Sequence, residues 1–318
     1  MSLRVTQSMV QSQLLRNISS NMKRMAYNQD VLSSNSKILK PSDDPVGITY
    51  ALRYRSELAL NDQYKKNVDM AKSMLDHTDS VMEQINSLIQ RANELTVQGT
   101  NGTNTQTSLD AIAQEMGQLY EQAVTLGNDQ LNGKYIFNGQ KTDQKPYSSS
   151  GAAAALNPNG QIALNGSGSV ATPGESSDDQ SVLYQLSDGV TLPVNVTGQD
   201  VFGGGSDTDN LFTVLKGLQT AFANGDQASA GTLLGSLQSR FNKFQDVRSE
   251  VGARSNRIDL IDSRLQALNQ NLTAMDSSVE DADIGSVIIK LKSDQNVYQA
   301  SLSAGAKIIQ PSLIDYLH

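Results

Sequence analysis

The chain has 318 residues, 38% hydrophobic and 18% charged, with no cysteine, no tryptophan and two histidines. That inventory excludes disulfides, cysteine-ligated zinc, iron–sulfur clusters and thiol catalysis, and leaves almost no material for a histidine metal site or a Ser-His-Asp relay. The net charge of −8 argues against a nucleic-acid binder, because affinity for phosphate backbones comes from Lys and Arg. Its distribution is uneven: residues 1–40 carry six basic side chains against Asp30, while residues 279–318 carry five acidic side chains against three lysines. The two ends therefore have opposite signs. No apolar run is long enough to span a membrane, and "MSLRVTQSMVQSQLL" lacks the apolar block and cleavage site of a secretory signal. A cytoplasmic protein and one exported without a cleaved signal both fit. Aromatics are only 5%, so narrow helix seams in a long, thin body are expected rather than a broad aromatic core.

In the first forty residues Leu15, Ile18, Met22, Met25 and Leu32 fall on one stripe of an amphipathic helix, which needs a partner surface. "KPSDDPVG", residues 40–47, interrupts it, since Pro41 and Pro45 lack backbone donors and push the preceding residues out of the helical region. Asp44 is placed to cap a second helix with Pro45 at its first position, Ser42 being a rival cap. From Pro45 to about Gln98, positions Tyr64, Val68, Ala71, Leu75, Thr78, Met82, Ile85, Ile89, Ala92 and Thr96 alternate four and three apart, a heptad seam. A helix of that span is roughly 80 Å long at about 1.5 Å per residue. "QGTNGTNTQT" ends it in a turn, and Leu109, Ile112, Met116, Leu119, Ala123 and Leu126 resume the helical period, antiparallel to the first.

Between Asn132 and about Asp209 the period changes. "NGKYIFNG" holds two Asn-Gly pairs around a short apolar run, a hairpin signal, and further pairs follow at Asn159, Asn165 and Asp188 with strand-like "SVLYQL" and "VTLPVNV". This reads as a small inserted β-rich domain with loose loops, among them "SSSGAAAA" and "FGGGSD"; residues 140–209 have a net charge of −6 and should be well solvated. After Asp209 the helical period returns and runs on, with Leu237, Phe244, Val251, Ile258, Leu265, Leu272 and Val279 seven apart and Ile261, Leu268 and Met275 as a second row. "SSVEDADIGSVI" then introduces a last amphipathic stretch through Ile284, Ile288, Leu291, Tyr298 and Leu302, mirroring the N-terminal helix. The fold expected is mainly α with an inserted β domain: an elongated, antiparallel, coiled-coil-like helical body plus two terminal helices that pair. Its segments are an N-terminal assembly and export helix (1–40), the first part of the helical body (41–139), the β insertion (140–209), the return helix (210–278) and a C-terminal assembly helix (279–318).

Little in the chain resembles chemistry. "GNDQLNGKY" has the wrong spacing and a Tyr where a phosphate-binding loop needs Ser or Thr, and "FGGGSD" reads as a flexible linker rather than a dinucleotide loop. Asp281 and Asp283 are better explained by helix capping or a subunit contact than by a cation, and His77 by exposure to solvent. Asp43 and Asp44 belong to a hinge around Pro41, Asp44 and Pro45, since no partners for a metal accompany them. No cofactor, no metal and no enzymatic activity are expected. The basic N-terminal stripe could lie on an anionic membrane, but it lacks aromatic anchors, and the oppositely charged C-terminal helix is the better partner.

Taken together, "RVTQSMVQSQLLRNISSNMKRM", "KPSDDPVGITYALRYRSEL", "LNGKYIFNGQKT" and "YQASLSAGAKIIQPSLIDYL" resemble bacterial flagellin and its relatives over nearly the whole chain, residues 145–205 excepted. The ending "AGAKIIQPSLIDYLH" departs from the Gln- and Asn-rich close of a filament subunit and is more similar to the hook–filament junction branch of the family. The resemblance implies a structural layer in the bacterial flagellum, built as a ring of like subunits between hook-associated protein 1 and flagellin. It also implies uncleaved export through the flagellar type III apparatus, a cytoplasmic export chaperone on the C-terminal helix, and ends that pair only inside the assembled tube. The assembly interface would then comprise Leu15, Ile18, Met22, Met25, Ile284, Ile288, Leu291, Tyr298 and Leu302, with neither nucleic acid nor membrane insertion involved. Flagellin itself is the alternative; a hydrolase in the β domain and a membrane-active or phage-tail coiled coil are the readings from other classes.

Overall fold

A computed structural model describes residues 7–147 and 178–309 of the chain. The loop "SSSGAAAA", the Asn-Gly pairs at Asn159 and Asn165 and the terminal His318 lie outside the described residues. Those described are mainly helical: α1 (Gln7–Ser34), α2 (Pro45–Gly99), α3 (Gln106–Gly127), α4 (Gly198–Phe202), α5 (Leu211–Ala223), α6 (Gln227–Glu280) and α7 (Ile284–Ile309). Two antiparallel hairpins, β1 (Gln130–Leu131) with β2 (Lys134–Tyr135) and β3 (Leu183–Ser187) with β4 (Val190–Pro193), complete the set. The chain divides into two compact units, one built from residues up to 61 and from 267 onward, the other from residues 62–266.

In the larger unit the expected α2 seam is the inner face. Val68, Ala71, Leu75, Thr78, Met82, Ile85, Ile89, Ala92 and Thr96 are buried and Tyr64 is partly so. The turn after α2 closes because the Asn104 side-chain amide donates to the Gln98 and Asn101 carbonyls, at 2.5 and 3.0 Å, satisfying acceptors that a helix end leaves open. Thr105 then caps α3 by accepting from the Ser108 amide at 3.4 Å. On α6 the row Leu237, Phe244, Val251, Ile258, Leu265 stays buried along this unit, as a strict seven-residue repeat requires of a helix that packs along its length.

Two sequence expectations are corrected here. The helical period after Asp209 is broken at Asn224–Asp226, where Gly225 has a φ of +69° and Asp226 accepts from the Ser229 amide at 3.0 Å to start α6. The Asn-Gly pair at 224–225 was the signal for that break. The core is also more aromatic than the composition suggested: five of the six phenylalanines are fully buried, and Phe202 stacks on Phe212 with centroids 4.9 Å apart, with Tyr147 4.7 Å from Phe212. Few aromatics sufficed because they are gathered in one place. Among the described residues of the β-rich region, Leu186, Leu192, Val194, Val196 and Phe202 join the same apolar cluster as the helices.

Both hairpins follow their turn chemistry. Asn132 and Gly133, with φ of +53° and +76°, form the tight turn whose twist matches the flanking strands. Asp188-Gly189 serves β3 and β4, whose pairing is irregular between Gln185 and Ser187. "FGGGSD" is a clamped loop, not a flexible linker. Arg240, only 2% exposed, places Nη2 2.6 Å from Asp209 Oδ1 and 3.2 Å from Asp207 Oδ2, and its Nε donates to the Asp209 carbonyl at 3.1 Å. The Asn210 side-chain amide donates to the Gly203 carbonyl at 2.7 Å. His77 is likewise not a free surface residue, as its Nε2 lies 2.6 Å from Asp129 Oδ2.

Candidate assembly interface

The smaller unit holds the residues that the sequence singles out for assembly. Its helix pair is antiparallel. The Asn21 side-chain amide donates to Ser301 Oγ at 3.4 Å, Asn28 donates to Asp294 Oδ2 at 2.8 Å, and Leu14 lies directly against Gly305, where a Cβ would stand 2.7 Å from the Leu14 Cδ2 atom. Arg24 Nε donates to Asp294 Oδ1 at 3.3 Å, a charge contact across the pair of the sense expected from the opposite signs of the two ends. Within a single chain α1 lies on α7.

The inner row of α1 is Leu14, Ile18, Asn21, Met25, Asn28 and Leu32, and that of α7 is Ile284, Val287, Leu291, Asp294, Tyr298, Ser301 and Gly305, all partly or fully buried and spaced three and four apart. Ile18, Met25, Ile284, Leu291 and Tyr298 lie on this seam, partly buried. Leu15 (66% exposed), Met22, Ile288 and Leu302 do not; each is exposed and follows an inner residue by one position. Counting apolar residues alone skipped Asn21, Asn28, Asp294 and Ser301, and so moved part of the stripe one residue off the true seam. In an antiparallel pair the positions one step past these inner residues emerge on the same flank of both helices. Leu15, Met22, Ile288 and Leu302 therefore share one exposed apolar flank of the pair.

Between α1 and α2 the chain passes through a turn at residues 40–44. Asp44 Oδ1 accepts from the amides of Val46 and Gly47 at 3.1 and 2.8 Å, so Asp44, rather than Ser42, caps α2 with Pro45 at its first position. Asp43 closes the turn before it, its Oδ2 accepting from Leu39 and Lys40 at 3.2 and 3.0 Å. Gly47 is needed at the cap, because a Cβ there would overlap the Asp44 carboxylate and lie 2.9 Å from Ile38 Cδ1. Pro41, Asp44 and Pro45 are themselves exposed. Upstream of the cap the linker is tied to the passage between α6 and α7: Lys37 N donates to the Glu280 carbonyl at 2.8 Å and Ala282 N to the Asn35 carbonyl at 3.1 Å. Arg55 pairs with Glu280 from the start of α2, and Asp283 accepts from the Ser286 amide at 3.2 Å to cap α7.

Leu268 and Met275, expected as an inner second row of α6, are exposed, along with Val46, Tyr50, Leu52 and Leu60 on α2. In this unit each helix has few neighbours to cover a second row. The unit therefore leaves these apolar side chains uncovered by its own fold.

The profile of the bacterial flagellin N-terminal helical region matches residues 5–142, and that of the bacterial flagellin C-terminal helical region matches residues 234–317. Flagellar hook-associated protein 3 of Salmonella typhimurium (strain LT2) is 26% identical over 94% of this chain and 95% of its own. Flagellin of Bacillus subtilis (strain 168) is 24% identical over 94% of each. The fold matches the flagellar junction protein FlgL from Legionella pneumophila with a TM-score of 0.57, at 13% identity, covering 73% of this chain and 100% of that one. The chain belongs to the bacterial flagellin family, whose members are exported structural proteins of the flagellum.

Proposed function

We propose that the chain is the structural adaptor that joins the flagellar hook, through hook-associated protein 1, to the flagellin filament. The observation that carries this reading is the similarity to hook-associated protein 3 over 94% of this chain and 95% of that relative. The physical means would be packing alone, without catalysis. The paired α1 and α7 would form the inner layer of a ring of like subunits, and the flank of Leu15, Met22, Ile288 and Leu302 would be buried against neighbouring chains on assembly. The turn from Pro41 to Pro45 would act as the hinge between terminal helices and body, absorbing the difference between a flexing hook and a stiffer filament. Before export the exposed apolar residues of α7 would be covered by a chaperone in the cytoplasm.

The test is a strain lacking the gene, in which flagellin is partitioned between cells and medium and hooks are inspected by electron microscopy. Bare hooks with unpolymerised flagellin in the medium are expected; normal filaments would overturn the junction role. A second reading, that the chain is the filament subunit, is favoured by the full-length similarity to flagellin. It predicts that flagellin disappears from both fractions in that strain, and that the pure protein grows into long filaments.

A further inference from the structure

The α1–α7 seam contains more polar side chains than a packing surface needs, and they are connected. Asn21 is only 6% exposed. Its Nδ2 donates to Ser301 Oγ at 3.4 Å, its Oδ1 accepts from Arg24 Nη2, Arg24 Nε donates to Asp294 Oδ1 at 3.3 Å, and Asp294 Oδ2 accepts from Asn28 Nδ2 at 2.8 Å. Ser301, Asn21, Arg24, Asp294 and Asn28 thus form one hydrogen-bonded chain that crosses between the helices three times. It is flanked along the seam by apolar side chains, Leu14 and Ile18 on one side and Leu32, Val287 and Leu291 on the other.

We infer that this network sets the register of the two terminal helices, and that Asn21, Asn28 and Asp294 are the residues that determine it. A seam made only of aliphatic side chains repeats every seven residues and tolerates sliding by one heptad, about 10 Å at 1.5 Å per residue. A buried polar side chain does not, since it must find its partner or lie unpaired in an apolar layer. Leu14 lies against Gly305; counting along the two seams from that layer sets Ile18 level with Ser301, Asn21 with Tyr298, Met25 with Asp294 and Asn28 with Leu291, and the network's bonds from Asn21 to Ser301 and from Asn28 to Asp294 run diagonally between these layers. Sliding α7 by one heptad so that Leu14 meets Tyr298 sets Ile18 against Asp294, Asn21 against Leu291 and Asn28 against Ile284. The carboxylate leaves Arg24 and both amides lose their acceptors. The register matters beyond the pair, because it decides which exposed residues of α1 and α7 come level on the shared flank: Leu302 falls between Leu15 and Met22 only in the observed one. This inference concerns the helix pair within one chain and goes beyond the junction reading, so it stands or falls independently of it.

The absence of cysteine makes the test clean. In the full-length, dilute, monomeric protein, two double variants are oxidised mildly and the internal disulfide is read by gel mobility. Leu14→Cys with Gly305→Cys reports the observed register, and Leu14→Cys with Tyr298→Cys the register slipped by one heptad. With the network intact, the first pair is expected to close and the second to close at least tenfold less. Adding Asn21→Leu, Asn28→Leu and Asp294→Leu should raise closure of the second pair relative to the first by several-fold, with far-UV circular dichroism unchanged. Asn28→Leu alone, a milder change that keeps the rest of the seam, should move the ratio the same way and serves if the triple variant loses helix. A ratio unaltered by either variant, or equal closure of the two pairs with the network intact, would overturn the inference.

Discussion

Arg240→Ala removes the centre of a buried ionic cluster, and its effect can be worked from the geometry. Arg240 is 2% exposed and Asp209 6%; Asp209 Oδ1 is held by Arg240, while Oδ2 is held by Lys243 Nζ at 2.8 Å and by Ser239 Oγ at 3.0 Å. Removing one partner of a buried pair costs about 3–5 kcal/mol, because the other charge is left in a poorly solvated site. Lys243 and Ser239 remain, so the lower end, about 3 kcal/mol, is expected. For a unit of this size that corresponds to a fall in Tm of roughly 6–12 °C, at about 2–4 °C per kcal/mol. Burial alone would raise the Asp209 pKa, but the hydrogen bonds from Lys243, Arg240 and Ser239 and the Arg240 charge outweigh it, and the carboxyl titrates below its ordinary value. A depressed native pKa stabilises above the unfolded value, near 3.9, and that contribution is lost as pH falls through the native one. Thermal melts followed by tyrosine fluorescence and far-UV circular dichroism at neutral pH and below about pH 4 measure both effects. The variant should melt earlier at neutral pH, and the gap from the parent should narrow in acid. A drop of less than about 2 °C at neutral pH, which is below the value of even 1 kcal/mol, would refute the assignment of this cluster as the clamp on residues 203–210.

Ile18→Asp places a carboxylate on the α1–α7 seam and Leu302→Asp places one on the exposed flank; both should block incorporation into flagella, but only the first should lower the helix content of the free protein by circular dichroism. Asp44→Ala removes the two cap bonds of α2 and should cost about 0.5–2 kcal/mol, read as a lower urea midpoint. Gly99→Ala brings a Cβ to 2.6 Å from Cζ of the buried Phe222 ring and should destabilise by about 1–3 kcal/mol in the same assay.

The long helices are legible in the amino-acid sequence because their cause is local. A seven-residue apolar repeat can be satisfied only by a helix packed along one face, and Pro45 behind Asp44 states where α2 begins. The hairpin turns at Asn132-Gly133 and Asp188-Gly189 are legible for the same reason, since Asn132, Gly133 and Gly189 take a positive φ that few residues accept. What depends on contacts between distant residues is not. Arg240 and Asp209 are 31 positions apart, and nothing in "FGGGSD" says that an arginine will be buried against it. The aromatic cluster unites Phe137, Tyr147, Phe202 and Phe212 from separate segments, so a low aromatic percentage hid a dense local core. At the terminal helices the apolar count set Leu15 and Met22 on one stripe with Ile18 and Met25, whereas the first two are exposed and the last two partly buried. Hydrophobicity alone assigns a buried asparagine to the solvent side. Asn21 is inside because Ser301, 280 residues away, accepts its hydrogen bond. The sequence by itself thus determined the long helical seams, the cap of α2 and the family to which the chain belongs, while the break between α5 and α6 escaped it. Only the tertiary structure decided which apolar residues face inward and which remain on the surface, because that choice is made by partners the local pattern does not contain.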